Sequence, residues 1–150
     1  MALTLDLVTT LTIELAEQQQ IGATRHGVRR VSPVMGGSAE GPRLRGEVLP
    51  GGADWNLVLP DGSIEFDARY TIRADDGAMI LVYNQGLERE TMARLFAGEP
   101  IDPSAPMYAR TLPRFEVGPG PHEWLGRSLF VAELRLGRPG VAVLDVYEIV

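Results

Sequence analysis

One hundred and fifty residues suffice for a single self-sufficient domain and are few for two of ordinary size. An apolar fraction of 45% against 23% charged residues excludes a disordered chain, and a net charge of −6 opposes nucleic-acid or anionic-membrane partners. Cysteine is absent and all 14 basic residues are arginine, which removes thiolate nucleophiles, thiolate metal sites, disulfides, Schiff bases and lysine general bases.

Along the chain, Leu3, Leu5, Leu7, Thr9, Leu11, Ile13 and Leu15 recur at period two, which predicts a half-buried strand on one face, ended by polar residues 16–20. The same stretch lacks a basic flank and is interrupted by Asp6 and Glu14. It predicts neither a signal peptide nor a membrane span, and a cytoplasmic location is expected. Residues 25–34 form a second strand candidate crowded by Arg25, Arg29 and Arg30, followed by a glycine-rich loop over residues 35–42. Residues 44–49 and 56–59 read as short strands flanking Pro50-Gly51-Gly52. Asp61-Gly62 and Asp76-Gly77 are hairpin turns bracketing the clearest alternating strand, with Ile64, Phe66, Ala68, Tyr70 and Ile72 on one face.

Residues 78–84 are apolar on both faces, so both sides of that strand must be covered. Leu87, Met92, Leu95 and Phe96 share a helical face ending at Gly98, which predicts a short helix over residues 87–96. Residues 107–112 form a strand, and Pro113 through Pro121 mark a connection. Residues 128–136 and 141–150 form two long strands joined at Gly137-Arg138-Pro139-Gly140. With eight to ten short strands the chain is an antiparallel barrel or a sandwich. Closure into a barrel covers both faces of residues 78–84 and leaves no open edge.

Several motifs carry a resemblance over nearly the whole chain. These are Gly36-Gly37 with Gly41-Pro42, Gly46-Glu47-Val48-Leu49-Pro50-Gly51-Gly52-Ala53-Asp54-Trp55, Asp67-Ala68-Arg69-Tyr70, Asp75-Asp76-Gly77-Ala78-Met79-Ile80, Tyr108-Ala109-Arg110-Thr111, Phe115, and Trp124-Leu125. In these the sequence resembles the family catalogued as domain of unknown function 3237, from which it departs at Gly126, where a polar residue such as asparagine is expected. The resemblance implies a single-domain β-barrel and brings no settled chemistry; together with the patterning above, the expectation is one all-β, calycin-like barrel domain over residues 1–150 with one short α-helix.

The chemistry has to come from the residues. His26 and His122 are the only histidines and neither has a second ligand nearby in sequence, so no metal is expected. Gly36-Gly37-Ser38-Ala39-Glu40 lacks the second glycine of a nucleophile elbow, and no glycine loop has nucleotide-binding spacing, so no cofactor is expected. Asp54 beside Trp55 is either a turn residue next to core or a carboxyl whose pKa is raised for acid–base work. Arg69 and Tyr70 point to opposite strand faces. If Tyr70 faces the core, Arg69 joins Glu65 and Asp67 in a solvated ion pair; if the charged face is the lumen, Arg69 clamps an anion. Recurrence of the pair in the family motif implies a role for at least one member.

Tyr83, Asn84, Tyr108 and Arg110 put polar tips on apolar strands, the pattern of a ligand-binding barrel, although buried tyrosine is also ordinary core. The expectation is a small-molecule-binding barrel, in its enzymatic form a cofactor-independent isomerase, cyclase or lyase acting on a hydrophobic carbonyl or aromatic compound. Asp54 is the base, Arg69 and Arg110 stabilise negative charge, and Tyr70, Tyr83 and Tyr108 orient the substrate beside Asn84. Trp55, Phe115 and Trp124 form the apolar wall. The alternatives are a non-catalytic carrier or sensor and an oligomeric barrel with a filled lumen. The two-sided apolar strand also leads us to expect a homo-oligomer.

Overall fold

The computed structural model describes residues 1–89, 98–100 and 107–150. Ten strands account for most of them: β1 (Leu5–Leu15), β2 (Gln19–Thr24), β3 (Gly27–Glu40), β4 (Gly46–Val48), β5 (Ala53–Val58), β6 (Ile64–Ala74), β7 (Met79–Arg89), β8 (Tyr108–Val117), β9 (Phe130–Leu136) and β10 (Val141–Ile149). Every pairing is antiparallel. The path runs β1-β10-β9-β8-β7-β6, continues through β4 and β5 to β3, and returns to β1. Ten strands fill eight ring positions, because β4 and β5 share one and β2 pairs only with β3 outside the ring. The sheet is a closed barrel. The helix expected over residues 87–96 falls outside the described residues from 90 onward, and residues 87–89 continue β7. Among the described residues no helix is long and apolar enough to cross a membrane.

Closure depends on β3, which at 14 residues outlasts any single neighbour. Its first half pairs with β2 and β5, its second half with β1 and β4. The expected glycine-rich loop is therefore strand. Gly36 and Gly37 have φ of 140° and 150°, values that side chains avoid, and a Cβ on Gly37 would lie 1.9 Å from the Thr12 carbonyl oxygen. Only glycine lets β3 bend here and press against β1, beside a register shift between Glu14 and Leu15.

The period-two stripe of β1 is also cut. A bulge between Leu7 and Thr9 gives the strand one extra residue, so Leu5 and Leu7 face outward while Val8, Thr9, Leu11 and Ile13 are buried. The buried Thr9 hydroxyl donates to the Leu44 carbonyl at 2.8 Å. In β8, Pro113 sits within the strand and not in a connection. Beyond Thr111 that strand has a partner on the β7 side alone, and an unpaired side tolerates a residue without an N–H.

One end of the barrel is packed solid. A 3-10 turn, Glu123–Arg127, carries Leu125 into it, Phe115 meets Phe130 edge-on at 4.9 Å, and Trp124 lies 5.9 Å from Phe130 under the Arg43 guanidinium. Arg43 in turn pairs with Glu148, and His122 Nε2 lies 2.9 Å from Asp76 Oδ2, which pins the turn to the β6–β7 hairpin. Gly37→Ala is expected to destabilise the fold by about 1–3 kcal/mol, since the new methyl can be accommodated only by moving backbone. Gly118→Ala, where nothing lies within 4 Å, serves as the control and stays within about 0.5 kcal/mol in chemical denaturation.

Candidate functional site

The other end of the barrel is hollow. A cavity of about 230 Å³ is lined from the β5–β6 and β9–β10 hairpins down to Tyr70. Its walls are mostly aliphatic or aromatic, with Ile13, Val34, Phe66, Leu134 and Leu144 among them. Polar groups enter from two sides. Alternation along each strand decides which ones do: positions 30 and 32 of β3 and 54 and 56 of β5 point inward, and residues between them point out.

On the β3–β5 side the groups form one network. Arg30 Nε donates to Asn56 Oδ1 at 2.7 Å, and Asn56 Nδ2 donates to Ser32 Oγ at 3.2 Å and to Asp54 Oδ2 at 3.3 Å. Gln18 Nε2 also donates to Ser32 Oγ, at 3.2 Å. The carbonyl oxygen and amide nitrogen of Asn56 are thus both engaged, which fixes its plane and aims Asp54. The other Asp54 oxygen accepts the Asp67 backbone N–H at 2.9 Å. That contact stands where the β5–β6 ladder is interrupted, between the Asp54↔Ala68 and Leu57↔Glu65 pairs, so the carboxylate takes the place of a backbone acceptor. Gly52 allows the two strands to come this close, as a Cβ there would lie 2.2 Å from the Arg69 carbonyl oxygen.

Burial pushes the Asp54 carboxyl above its ordinary pKa. The Asp67 N–H, Asn56 and Arg30 pull it back only in part, and the Asp67 charge adds to the rise. Burial lowers the pKa of Arg30 despite the opposing pull of Asp54 and Glu88. Tyr70, fully inside, has its phenol raised by burial, with the nearby Asn84 opposing and Asp54 adding to the shift. Its hydroxyl therefore stays protonated through the neutral range.

Of the residues singled out from sequence, Asp54, Tyr70 and Asn84 line this cavity together. The apolar face of β6 is the inner one, so Arg69 is outside, 5.1 Å over the Tyr83 ring. Arg110 and Tyr108 share the outer face of β8, where Arg110 lies 3.9 Å from Glu133 and both Arg89 and Arg110 stack on Tyr108. Trp55 faces out between Asp54 and Asn56 and is 40% exposed. Phe115 and Trp124 belong to the plug at the closed end. Arg69, Arg110, Tyr108, Tyr83 and Trp55 thus meet solvent because strand alternation turns them away from the lumen, and Phe115 and Trp124 lie below its floor.

Sequence reasoning missed Arg30, Ser32, Asn56, Glu88 and Thr111. A usable signal was present: Asp54 with Asn56, and Arg30 with Ser32, are polar pairs at spacing two that antiparallel pairing sets opposite each other, Arg30↔Asn56 and Ser32↔Asp54. Among the described residues no three His, Asp or Glu side chains converge to hold a metal ion.

The family model for a protein of unknown function, DUF3237, matches residues 3–149. UPF0311 protein RPA1785 of Rhodopseudomonas palustris is 38% identical over 145 residues, covering 95% of this chain and 94% of its own. Its crystal structure superposes with a TM-score of 0.89 over 100% of this chain and 99% of that one. A β-barrel-like protein of Acinetobacter baumannii gives 0.85 at 29% identity, over 100% and 98% of the two chains. An enzyme of Penicillium herquei gives 0.76 at 19% identity, over 100% and 96%, a likeness of fold.

The raised Asp54 pKa has a consequence for stability. A carboxyl whose folded pKa exceeds its unfolded value of 3.8 contributes most below that value, and the contribution is lost as pH rises through the folded pKa. Asp54→Asn, whose amide oxygen can still accept the Asp67 N–H, is expected to melt above the parent protein at pH 7. The two melting temperatures converge below about pH 4.

Proposed function

The chain belongs to the DUF3237 family, and from that membership and the chemistry of the cavity we propose that it is a small-molecule-binding barrel working as a cofactor-independent enzyme. The reaction is proton transfer on a hydrophobic carbonyl or aromatic compound, of the isomerase, cyclase or lyase type. The observation that carries the reading is Asp54, a carboxyl fixed by the Asp67 N–H, lining a mostly apolar cavity and raised by its burial above the ordinary aspartate pKa. Such a group gains or gives up a proton nearer neutrality than an exposed aspartate does. Arg30, tied to Asp54 through Asn56, supplies positive charge on the same wall when negative charge develops on a bound substrate. In this reading Arg30 does the electrostatic work that the outward-facing Arg69 and Arg110 are turned away from. The likeness of fold to a barrel described as an enzyme agrees with it.

Native mass spectrometry of freshly purified protein, set against the denatured mass, identifies a compound retained in the cavity. With that compound as substrate, Asp54→Asn is expected to keep its affinity and to lose about 10²–10⁴-fold in turnover. Retained turnover in the variant would overturn Asp54 as the acid–base group. Binding without turnover in the parent protein would make the barrel a carrier.

A further inference from the structure

The wall adjoining Asp54, across β6 to β8, has a different character. Tyr70 on β6, Asn84 on β7 and Thr111 on β8 line the cavity and are 3%, 4% and 2% exposed. The Tyr70 hydroxyl, Asn84 Oδ1 and the Thr111 hydroxyl have no hydrogen-bond partner among the described residues. Asn84 is near enough to Tyr70 to oppose the rise in its phenol pKa, yet Asn84 Oδ1 and the Tyr70 hydroxyl do not pair with each other. Neighbouring strands carry the three: Asn84 pairs with Ala68 and Pro113, two residues along from Tyr70↔Val82 and from Gly86↔Thr111, so they stand diagonally on one inner surface. Buried polar atoms are normally paired, and three together on the surface of one cavity are a half-made set of bonds.

We infer that this wall is a subsite for the hydroxyl group of an uncharged, largely apolar ligand of one or two rings. The inference rests on the binding role proposed above and names the chemistry that the cavity selects. Asn84 Oδ1 only accepts, so the ligand must donate there. The Tyr70 hydroxyl remains protonated and has a bond to give, so the ligand must also accept. A hydroxyl does both at one atom. A carboxylate only accepts, and on this wall it would face Asn84 Oδ1 with Asp54 and Glu88 in the same cavity. A plain hydrocarbon leaves all three groups unpaired. The volume, below the roughly 300–1,000 Å³ of drug-sized pockets, sets the size limit.

The test is a thermal-shift titration of the purified protein with p-cresol, benzyl alcohol, toluene, benzoate and benzylamine. One or both of the hydroxyl compounds should stabilise it, the stronger of the two telling a phenol from an alcohol. The other three should need about tenfold higher concentration for the same shift, because a site built to bond a hydroxyl rejects analogues lacking it. Tyr70→Phe and the near-isosteric Thr111→Val should melt without ligand at or above the parent temperature, since each removes an unpaired buried group. Both should lose the preference for a hydroxyl over toluene. Equal shifts with toluene, or larger ones with benzoate or benzylamine, would overturn the subsite while leaving a binding cavity in place. No shift with any compound would overturn the subsite and the binding role together. A several-degree fall in the unliganded melting temperature of both variants would show the hydroxyls to be satisfied already, and would also overturn the subsite.

Discussion

The barrel exists because one strand can change partners halfway along. At Gly36 and Gly37, β3 leaves the β2 side and meets β1, and closure of the ring hangs on a contact at which a single methyl would sit inside the Thr12 carbonyl. The hydrogen-bond ladder and the steric opening are the same feature. Without the opening, β1 and β3 would remain edges and the lumen would be a groove. With it, the sheet wraps a space whose inner surface is set by strand alternation alone.

That alternation explains how much of the molecule was legible in advance. Most strands announced themselves through period-two patterning and turn dipeptides: Ile64, Phe66, Ala68, Tyr70 and Ile72 were legible as one face of β6, though not as the inner one, and Asp61-Gly62 and Gly137 to Gly140 do join strands. The failures share a cause, in that a local rule was overridden by a partner far away in sequence. Glycines 36 and 37 looked like a loop because their strand role depends on Thr12. Leu5 and Leu7 looked internal because a bulge at Val8 cannot be read from composition. Pro113 looked like a breaker because its unpaired side is a property of the ring.

The same logic governs the site. Tyr70 and Asn84 were legible as polar tips on apolar strands, and Asp54 as a carboxyl beside Trp55, a ring that in fact faces out. Arg30 was not, since an arginine in an arginine-rich strand reads as solvated, and only pairing with β5 turns it toward Asn56. The aromatic–arginine stacks on the outside borrowed the look of a binding site, although their rings and charges meet over the outer surface of the barrel. Two walls of different finish result: one closed on itself through Asn56, the other left open at Tyr70, Asn84 and Thr111.

The ring is unevenly stitched. Among the described residues β6 and β7 share ten register pairs and β7 and β8 another ten, whereas β8 and β9 meet in two, Arg110↔Glu133 and Thr111↔Ala132. A closed cylinder can alter its girth only by lengthening some joint, and the joint with fewest backbone bonds gives way at least cost. Widening of the barrel therefore costs least at this seam, one of whose two rungs carries Thr111. The lumen gains width beside one of its own polar groups, and elastic freedom and molecular recognition come to share a single address in the wall.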